Sequence, residues 1–449
     1  MPGVLFVTGK LAARALSRTL SGLKRDFSYT VQVLPITVAA LMVTSFVARH
    51  LQPGDYTQVV LPGLCRGDLE TIQSKIGVPV IRGPKDLKDL TRFFGKDDGP
   101  DPDYGAHRIK ILAEIVEAPL LSVEEILARA GYLWNSGADF IDIGCIPGVG
   151  FKHLGEVVRE LKGLGYRVSI DSFNQEEVLT GVAAGADLVL SVNSTNLDLC
   201  RELSCPVVLI PDPETPLASL ERNMDRLHSW GVQFIVDPLL EPINFGLVSS
   251  LQRYFLLREK YPEVPMLMGV GNITELTDAD STGLNALLTG IAEELGVEYL
   301  LTTEASSNTW GAVKEIDAAR KLMYYSRVNG ILPKRVDEAL LTVKDRDVHR
   351  YSAAELREMQ EMVRDRNYRI FVGEKEIFVF NANKFVQGRD PEAIFTQLQV
   401  KDRRHAFYLG LELSKAKLAL QLGKKYFQDE DLRWGYFSPA AGGGDHDDY

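Results

Sequence analysis

Short, nearly unbroken apolar runs alternate along most of the chain with longer segments whose apolar residues recur every three to four positions, the signature of buried strands between amphipathic helices. Over residues 1–100 the runs 4–8, 29–34, 58–61 and 78–82 read as strands, with helices near 12–23 and 38–50. That alternation predicts a small open parallel sheet. From residue 108 the runs recur at 108–116, 138–143, 167–170, 188–192, 207–210, 233–236, 266–269 and 299–301. Eight strand–helix units in this length predict a (β/α)8 barrel, whose strands are buried on both faces and so read as continuous apolar runs.

After about residue 333 the pattern changes. A helix at 353–364, a hairpin of 368–372 with 376–381, and a long amphipathic helix at 405–422 predict a small α+β unit. The segment 94–104 is charged and rich in Gly and Pro, which reads as a linker, and the glycine- and acid-rich end offers nothing to bury. The fold expectation is therefore α/β: a 1–100 open parallel α/β domain, a central TIM barrel over 105–333, a 334–438 α+β domain, and a flexible acidic tail at 439–449.

Composition narrows the function classes. In 449 residues there are 50 Lys+Arg against 61 Asp+Glu, a net charge of −11, which disfavours a nucleic-acid partner because such binding needs a clustered basic surface. The four cysteines form no CxxC pair and have no histidines at zinc-ligand spacing, so neither a disulfide framework nor a structural metal is expected. No run approaches a membrane span and the amino terminus lacks a signal-peptide pattern, so the expected compartment is the cytoplasm.

Candidate chemistry lies at the ends of the barrel runs, where this fold places its active sites. In order these ends supply Asp142 in Asp-Ile-Gly-Cys, Asp171 in Ser-Ile-Asp-Ser, Asn193 in Asn-Ser-Thr-Asn, Asp212, Asp237 in Asp-Pro-Leu-Leu-Glu-Pro-Ile-Asn244, and Asn272 in Gly-Val-Gly-Asn. Any one of them also suits a helix cap. Together, carboxylates and carboxamides without Lys, Arg or His suit a neutral heterocycle that offers N–H donors, since an Asp accepts two parallel hydrogen bonds and an Asn both donates and accepts. A divalent cation is the alternative for an acidic mouth, although such sites usually include phosphate or hydroxyl ligands from the substrate.

These five strand-end motifs, in this order, resemble the pterin-binding barrel superfamily, which includes dihydropteroate synthases and methyltetrahydrofolate:corrinoid methyltransferases. The leading Val-Leu-Phe-Val-Thr-Gly-Lys10 and the Leu-Pro-Gly-Leu-Cys-Arg-Gly-Asp68 segment further resemble dihydropteroate synthase-related proteins of tetrahydromethanopterin-linked one-carbon metabolism. The resemblance implies a reduced pterin of the tetrahydromethanopterin or tetrahydrofolate type in the mouth, contacted by Asp142, Asp171, Asn193, Asp237, Asn244 and Asn272. It implies a transferase.

The branches differ in their cations. Dihydropteroate synthases follow the seventh strand with Ser-Arg-Lys and close the barrel with an Arg-x-His anion site; here Gly271-Asn272-Ile273 and Thr302-Thr-Glu-Ala-Ser306 stand instead. The site motifs are closer to the methyltransferase branch, which implies that Asn272 assists catalysis at N5 of the pterin. A methyl acceptor is then needed, either a separate corrinoid protein or another acceptor, because Asp347-Val-His349 lacks the glycine of a cobalt-ligand motif. Condensation of a hydroxymethyl-pterin with an arylamine, or noncatalytic pterin binding within a complex, are the alternatives. The oligomeric state is left open by the sequence.

Overall fold

The computed structural model describes residues 3–23, 27–52, 54–85, 87, 90–94, 104–346, 348 and 350–438. The chain forms two compact units, one built from its two ends (1–101 with 341–438) and one from its middle, 102–340. The linker centre, the acidic tail, Asp347 and His349 lie outside the described residues.

In the first unit, β1 Gly3–Thr8, β2 Tyr29–Val33, β3 Tyr56–Leu61 and β4 Val80–Arg82 make a parallel sheet in the order β2-β1-β3-β4. Its faces bury separate clusters, Leu5, Val7, Val59 and Leu61 on one side and Val4, Phe6 and Val60 on the other, as alternation along a strand requires. The helix expected over 38–50 is interrupted. A short 3-10 turn, Ala39–Leu41, precedes the helix Thr44–His50, and between them Met42 and Val43 are extended. Arg66 explains the break: its N–H donates to Met42 O at 3.1 Å and its carbonyl accepts from Thr44 N at 2.8 Å, so this backbone pairs with a neighbouring loop instead of continuing the helix.

The middle of the chain closes on itself as a barrel. Its strands, all parallel, are β5 Lys110–Ile115, β6 Phe140–Gly144, β7 Val168–Asp171, β8 Leu188–Val192, β9 Val207–Leu209, β10 Phe234–Val236, β11 Leu267–Gly269 and β12 Tyr299–Thr303. A bridge between Val236 and Met266 joins the last pair of edges, β10 and β11. Two clusters of buried side chains result. Leu112, Phe140, Leu188, Leu190, Val208, Ile235 and Leu267 fill the interior, and Ile111, Ala113, Ile141, Ile143, Val168 and Ile170 pack outward on the helices. This two-sided burial is why the strands read as continuous apolar runs.

In the carboxy-terminal part of the first unit, β13 Arg369–Val372, β14 Ile377–Phe380 and β15 Phe385–Gly388 form an antiparallel meander against the helix Arg403–Leu422. The third strand and the helix Pro391–Leu398 add to the expected hairpin. Asp390 caps that helix by accepting from Ala393 N at 3.0 Å.

Candidate functional site

Period-two alternation decides which side chains enter the barrel. On β5 the interior position Leu112 is followed two residues later by Glu114, and on β6 Phe140 is followed by Asp142. The register sets Glu114 beside Asp142, Asp142 beside Ser169, and Gly144 beside Asp171. Carboxyl groups thus form the layer above the apolar interior, at the carboxyl ends of the strands. Glu275, just past β11, has its carboxyl affinity for protons raised by the same enclosure.

Asp142 is fully buried. Ser169 Oγ donates to its Oδ1 at 2.6 Å, whereas Oδ2 is buried with no hydrogen-bond partner among the described residues. Burial, reinforced by the negative charges of Asp171 and Glu114, raises its pKa well above the usual carboxylate range. Asp171 is raised by burial too, opposed by Ser191, whose hydroxyl donates to Oδ1 at 2.5 Å.

Ser191 owes its position to a bulge. Between Val189 and Val192 the register of β8 against β9 slips by one residue, and Ser191 takes φ +63°. The extra residue resets the alternation, so that Val192 packs outward with Val189 while Ser191 turns to Asp171. Asn193 follows at the end of this strand. Its backbone N–H donates to Asn196 Oδ1 at 2.8 Å, and its own side-chain oxygen accepts from Thr195 N at 2.9 Å and Thr195 Oγ1 at 2.6 Å.

Asp237 is held from two directions. Tyr254 Oη and Leu239 N both donate to its Oδ1, at 2.6 and 2.8 Å. Burial pushes its pKa up to about 6, against the lowering effect of these donors and of Arg253. Arg253 secures the loop itself, donating to Pro238 O at 3.0 Å and Leu239 O at 2.7 Å. Across the mouth, Asn272 Nδ2 donates to Leu240 O at 2.8 Å, tying the end of β11 to the loop after β10. Asn272 is solvent-exposed and right-handed, in the short helix Gly271–Thr274.

The structure therefore groups Asp142 with Asp171, and joins the Asp237 loop to Asn272. It leaves Asn244 apart: this residue is exposed in the turn that follows, with φ +67°, a conformation that asparagine tolerates well. Asp212 accepts from Ser194 Oγ at 2.6 Å and pairs with Arg222 at 3.2 Å, which makes it a fastener of two loops. Glu304 likewise binds Val313 N at 3.0 Å and Tyr132 Oη at 3.0 Å, completing the turn into the last barrel helix.

Glu114 lies in the same layer as Asp142. Burial, followed by the charges of Asp171 and Glu275, pushes its pKa up to about 7. Gly144 makes room for it, since a Cβ there would lie 2.6 Å from Glu114 Oε1. Its parity with Leu112 and Asp142 is the sequence signal that selects it. Tyr254 and Ser191 carried no such signal, one lying on the following helix and the other depending on the bulge.

What the mouth can do follows from these charges. An enclosed carboxyl whose pKa is raised to about 7, as that of Glu114 is, can both donate and accept hydrogen bonds near neutral pH. Arg222 and Arg253, the arginines beside the loops after β9 and β10, are engaged by Asp212 and by backbone carbonyls.

Residues 3–85 match a family model described as a family of unknown function, DUF6513, and residues 353–429 match one described as PterinBD-DUF4346. An uncharacterised protein of Methanocaldococcus jannaschii is 30% identical, with 96% of this chain aligned to 98% of that one. Among solved structures, the dihydropteroate synthase of Yersinia pestis with a sulfonamide drug is 17% identical and covers 49% of this chain and 95% of its own, with a TM-score of 0.41. That of Thermus thermophilus is 22% identical over 49% of this chain and 94% of its own, also at 0.41. The eight-stranded parallel barrel expected from the sequence is borne out, and no helix among the described residues is long and apolar enough to cross a membrane. With 30% identity across nearly the whole of both chains, the protein belongs to the same family as the M. jannaschii protein.

Proposed function

We propose that the barrel mouth binds a reduced pterin and that the protein transfers a methyl or other one-carbon group from it to a separately supplied acceptor, a corrinoid protein or another. The observation that carries this reading is the enclosed carboxyl set Glu114, Asp142, Asp171 and Asp237. The 2-amino-4-oxo pyrimidine edge of a pterin presents adjacent N–H donors, which one carboxylate accepts in parallel. Asp237 is the best placed to receive them, because both hydrogen bonds described for it converge on Oδ1 and leave Oδ2 as the acceptor toward the ring.

Asn272 supplies the second element. With its Nδ2 committed to Leu240 O, its exposed side-chain oxygen is oriented for a ligand N–H. An N5-protonated pterin is such a donor, and protonation at N5 is what makes an N-methyl group able to leave. The nearby acidic groups favour that positive charge. They disfavour a diphosphate leaving group, for which charge stabilisation by cations is needed.

Anaerobic calorimetry with methyl-tetrahydromethanopterin, methyl-tetrahydrofolate and 6-hydroxymethyl-dihydropterin diphosphate tests the reading. Preference for a methylated reduced pterin is expected, and it should be weakened in Asp237→Asn. Preference for the diphosphate would move the assignment to a condensation, and failure of all three to bind would remove the pterin altogether.

A further inference from the structure

The carboxyl edge of the sheet β2-β1-β3-β4 opens onto a cavity of about 570 Å3 lying wholly within the first unit. The strand order makes this position special. From β1 the chain goes to β2 on one side and then to β3 on the other, and such a switch leaves a crevice beyond the strand ends where open α/β sheets take up ligands. The segments that follow β1 (Thr8, Leu11) and β3 (Pro62, Leu64) both line the cavity. Gly63 permits the wall to form, since a Cβ there would lie 2.5 Å from Gly83 O and Pro84 C.

The opposite wall comes from the carboxy-terminal part of the same unit and is aromatic: Tyr351, Phe371, Tyr426 and Phe427. Tyr351 and Phe371 meet edge to face with centroids 5.3 Å apart. Among the described lining residues, charge is added by Arg18, Lys85, Arg350 and Lys425 against Glu355. Lys85 and Arg350 are anchored by contacts of their own. Lys85 pairs with Glu430 and stands 5.4 Å from the centre of the Phe427 ring, while Arg350 donates to Ala419 O at 2.8 Å. Arg18 is exposed on the helix Ala13–Gly22. A basic lining in a chain of net charge −11 is the reverse of the acidic barrel mouth.

We propose that this cavity is a second binding site, for a small organic anion with a planar aromatic body. The aromatic walls accept the flat ring, and the basic groups accept a carboxylate, phosphate or sulfonate substituent. The volume falls within the roughly 300–1,000 Å3 of small-molecule sites. None of its lining residues belongs to the barrel, so its test is separate from that of the barrel mouth.

The test uses the full chain and the aromatic sulfonate 1-anilinonaphthalene-8-sulfonate, whose emission rises in apolar surroundings. One molecule per chain is expected to bind, with displacement by 2-naphthoate and not by 2-naphthylmethylammonium. Ala15→Trp, on the cavity wall, should abolish binding. Arg18→Glu, on the exposed helix surface, should weaken it at least fivefold with an unchanged circular dichroism spectrum, and Asp237→Asn in the barrel should leave it unaltered. Absence of binding, equal displacement by the cation, or binding insensitive to Arg18→Glu would overturn the proposal.

Discussion

Tyr254 donates its hydroxyl to Asp237 Oδ1 at 2.6 Å, and both side chains are buried. The tyrosine comes from the helix Leu247–Lys260, which returns after the Asp237 loop, so the helix following a strand orients the carboxyl at that strand's end. Leu239 N reinforces the same oxygen from within the loop, where Leu239 adopts φ +60°. One edge of the carboxyl is thereby fixed and its other oxygen is available to the mouth.

This arrangement makes Asp237→Asn separate stability from binding. An asparagine oxygen accepts both existing hydrogen bonds, so the fold should persist. In the wild type the folded-state pKa, about 6, is raised from 3.8, so the native state holds its proton more tightly than the unfolded chain. The associated stability is present at low pH and is lost as pH rises from about 4 through about 6, on the order of 3 kcal/mol in all. The asparagine variant lacks that loss. Unfolding measured at pH 3.5 and pH 8 should find the variant close to wild type at the first and more stable at the second, while pterin affinity falls about tenfold or more because an amide donor replaces the free carboxylate oxygen. A variant less stable at pH 8 would contradict the assignment of Asp237 as a strained charge.

Glu114 predicts a second pH effect, closer to neutrality. Its pKa is raised from 4.5 to about 7, chiefly by burial, so ionisation between these values costs stability and adds negative charge beside Asp171. Pterin affinity in the wild type should change between pH 6 and pH 8, and Glu114→Gln should flatten that segment of the profile. Gly144→Ala is an independent probe, because its Cβ would lie 2.6 Å from Glu114 Oε1 and must displace the carboxyl. The same neutral-pH segment should shift in this variant. A profile unaltered by both changes would assign the titration elsewhere.

Asn272 is tested by separating affinity from turnover. Its amide joins Leu240 O, so Asn272→Ala removes both a loop contact and the proposed acceptor for a protonated N5. If the residue acts mainly when N5 is protonated, turnover falls about a hundredfold while the binding of methylated pterin changes only several-fold. Equal losses in both would make it a positioning residue for the loop.

Much of this was legible in the sequence because burial on two faces leaves a simple record. The strands around Ile141, Ile170 and Val189 have no solvent-facing side, so their apolar runs are unbroken and their polar terminations stand out. Asp171 and Asp237 were found at those terminations, and Asp142 two residues before the end of its strand. Glu114 sits within its strand and required the alternation from Leu112 to be followed across β5 and β6. The break at Met42 and Val43 depends on hydrogen bonds of Met42 and Thr44 to Arg66, 24 and 22 residues onward, which no local pattern carries. The strand Phe385–Gly388 is short and partly exposed, and it is defined by pairing with Ile377–Phe380 more than by composition.

Ser191 provides the sharpest test of how the bulge serves the mouth. The residue carries φ +63°, which disfavours any side chain with a Cβ, and it donates to Asp171 at 2.5 Å. Ser191→Ala and Ser191→Gly both remove the hydroxyl, but only glycine relieves the backbone. The glycine variant should therefore be more stable than the alanine variant by roughly 1 kcal/mol, the left-handed conformation outweighing glycine's greater freedom when unfolded. Both should raise the pKa of Asp171 further, since the lowering contribution of the hydroxyl is gone. Thermal unfolding gives the first comparison, and the pH dependence of pterin binding gives the second. Equal stability of the two variants would mean that the strand relaxes out of the bulge once the hydroxyl is removed, and then Asp171, not the backbone, is what holds Ser191 in its left-handed conformation.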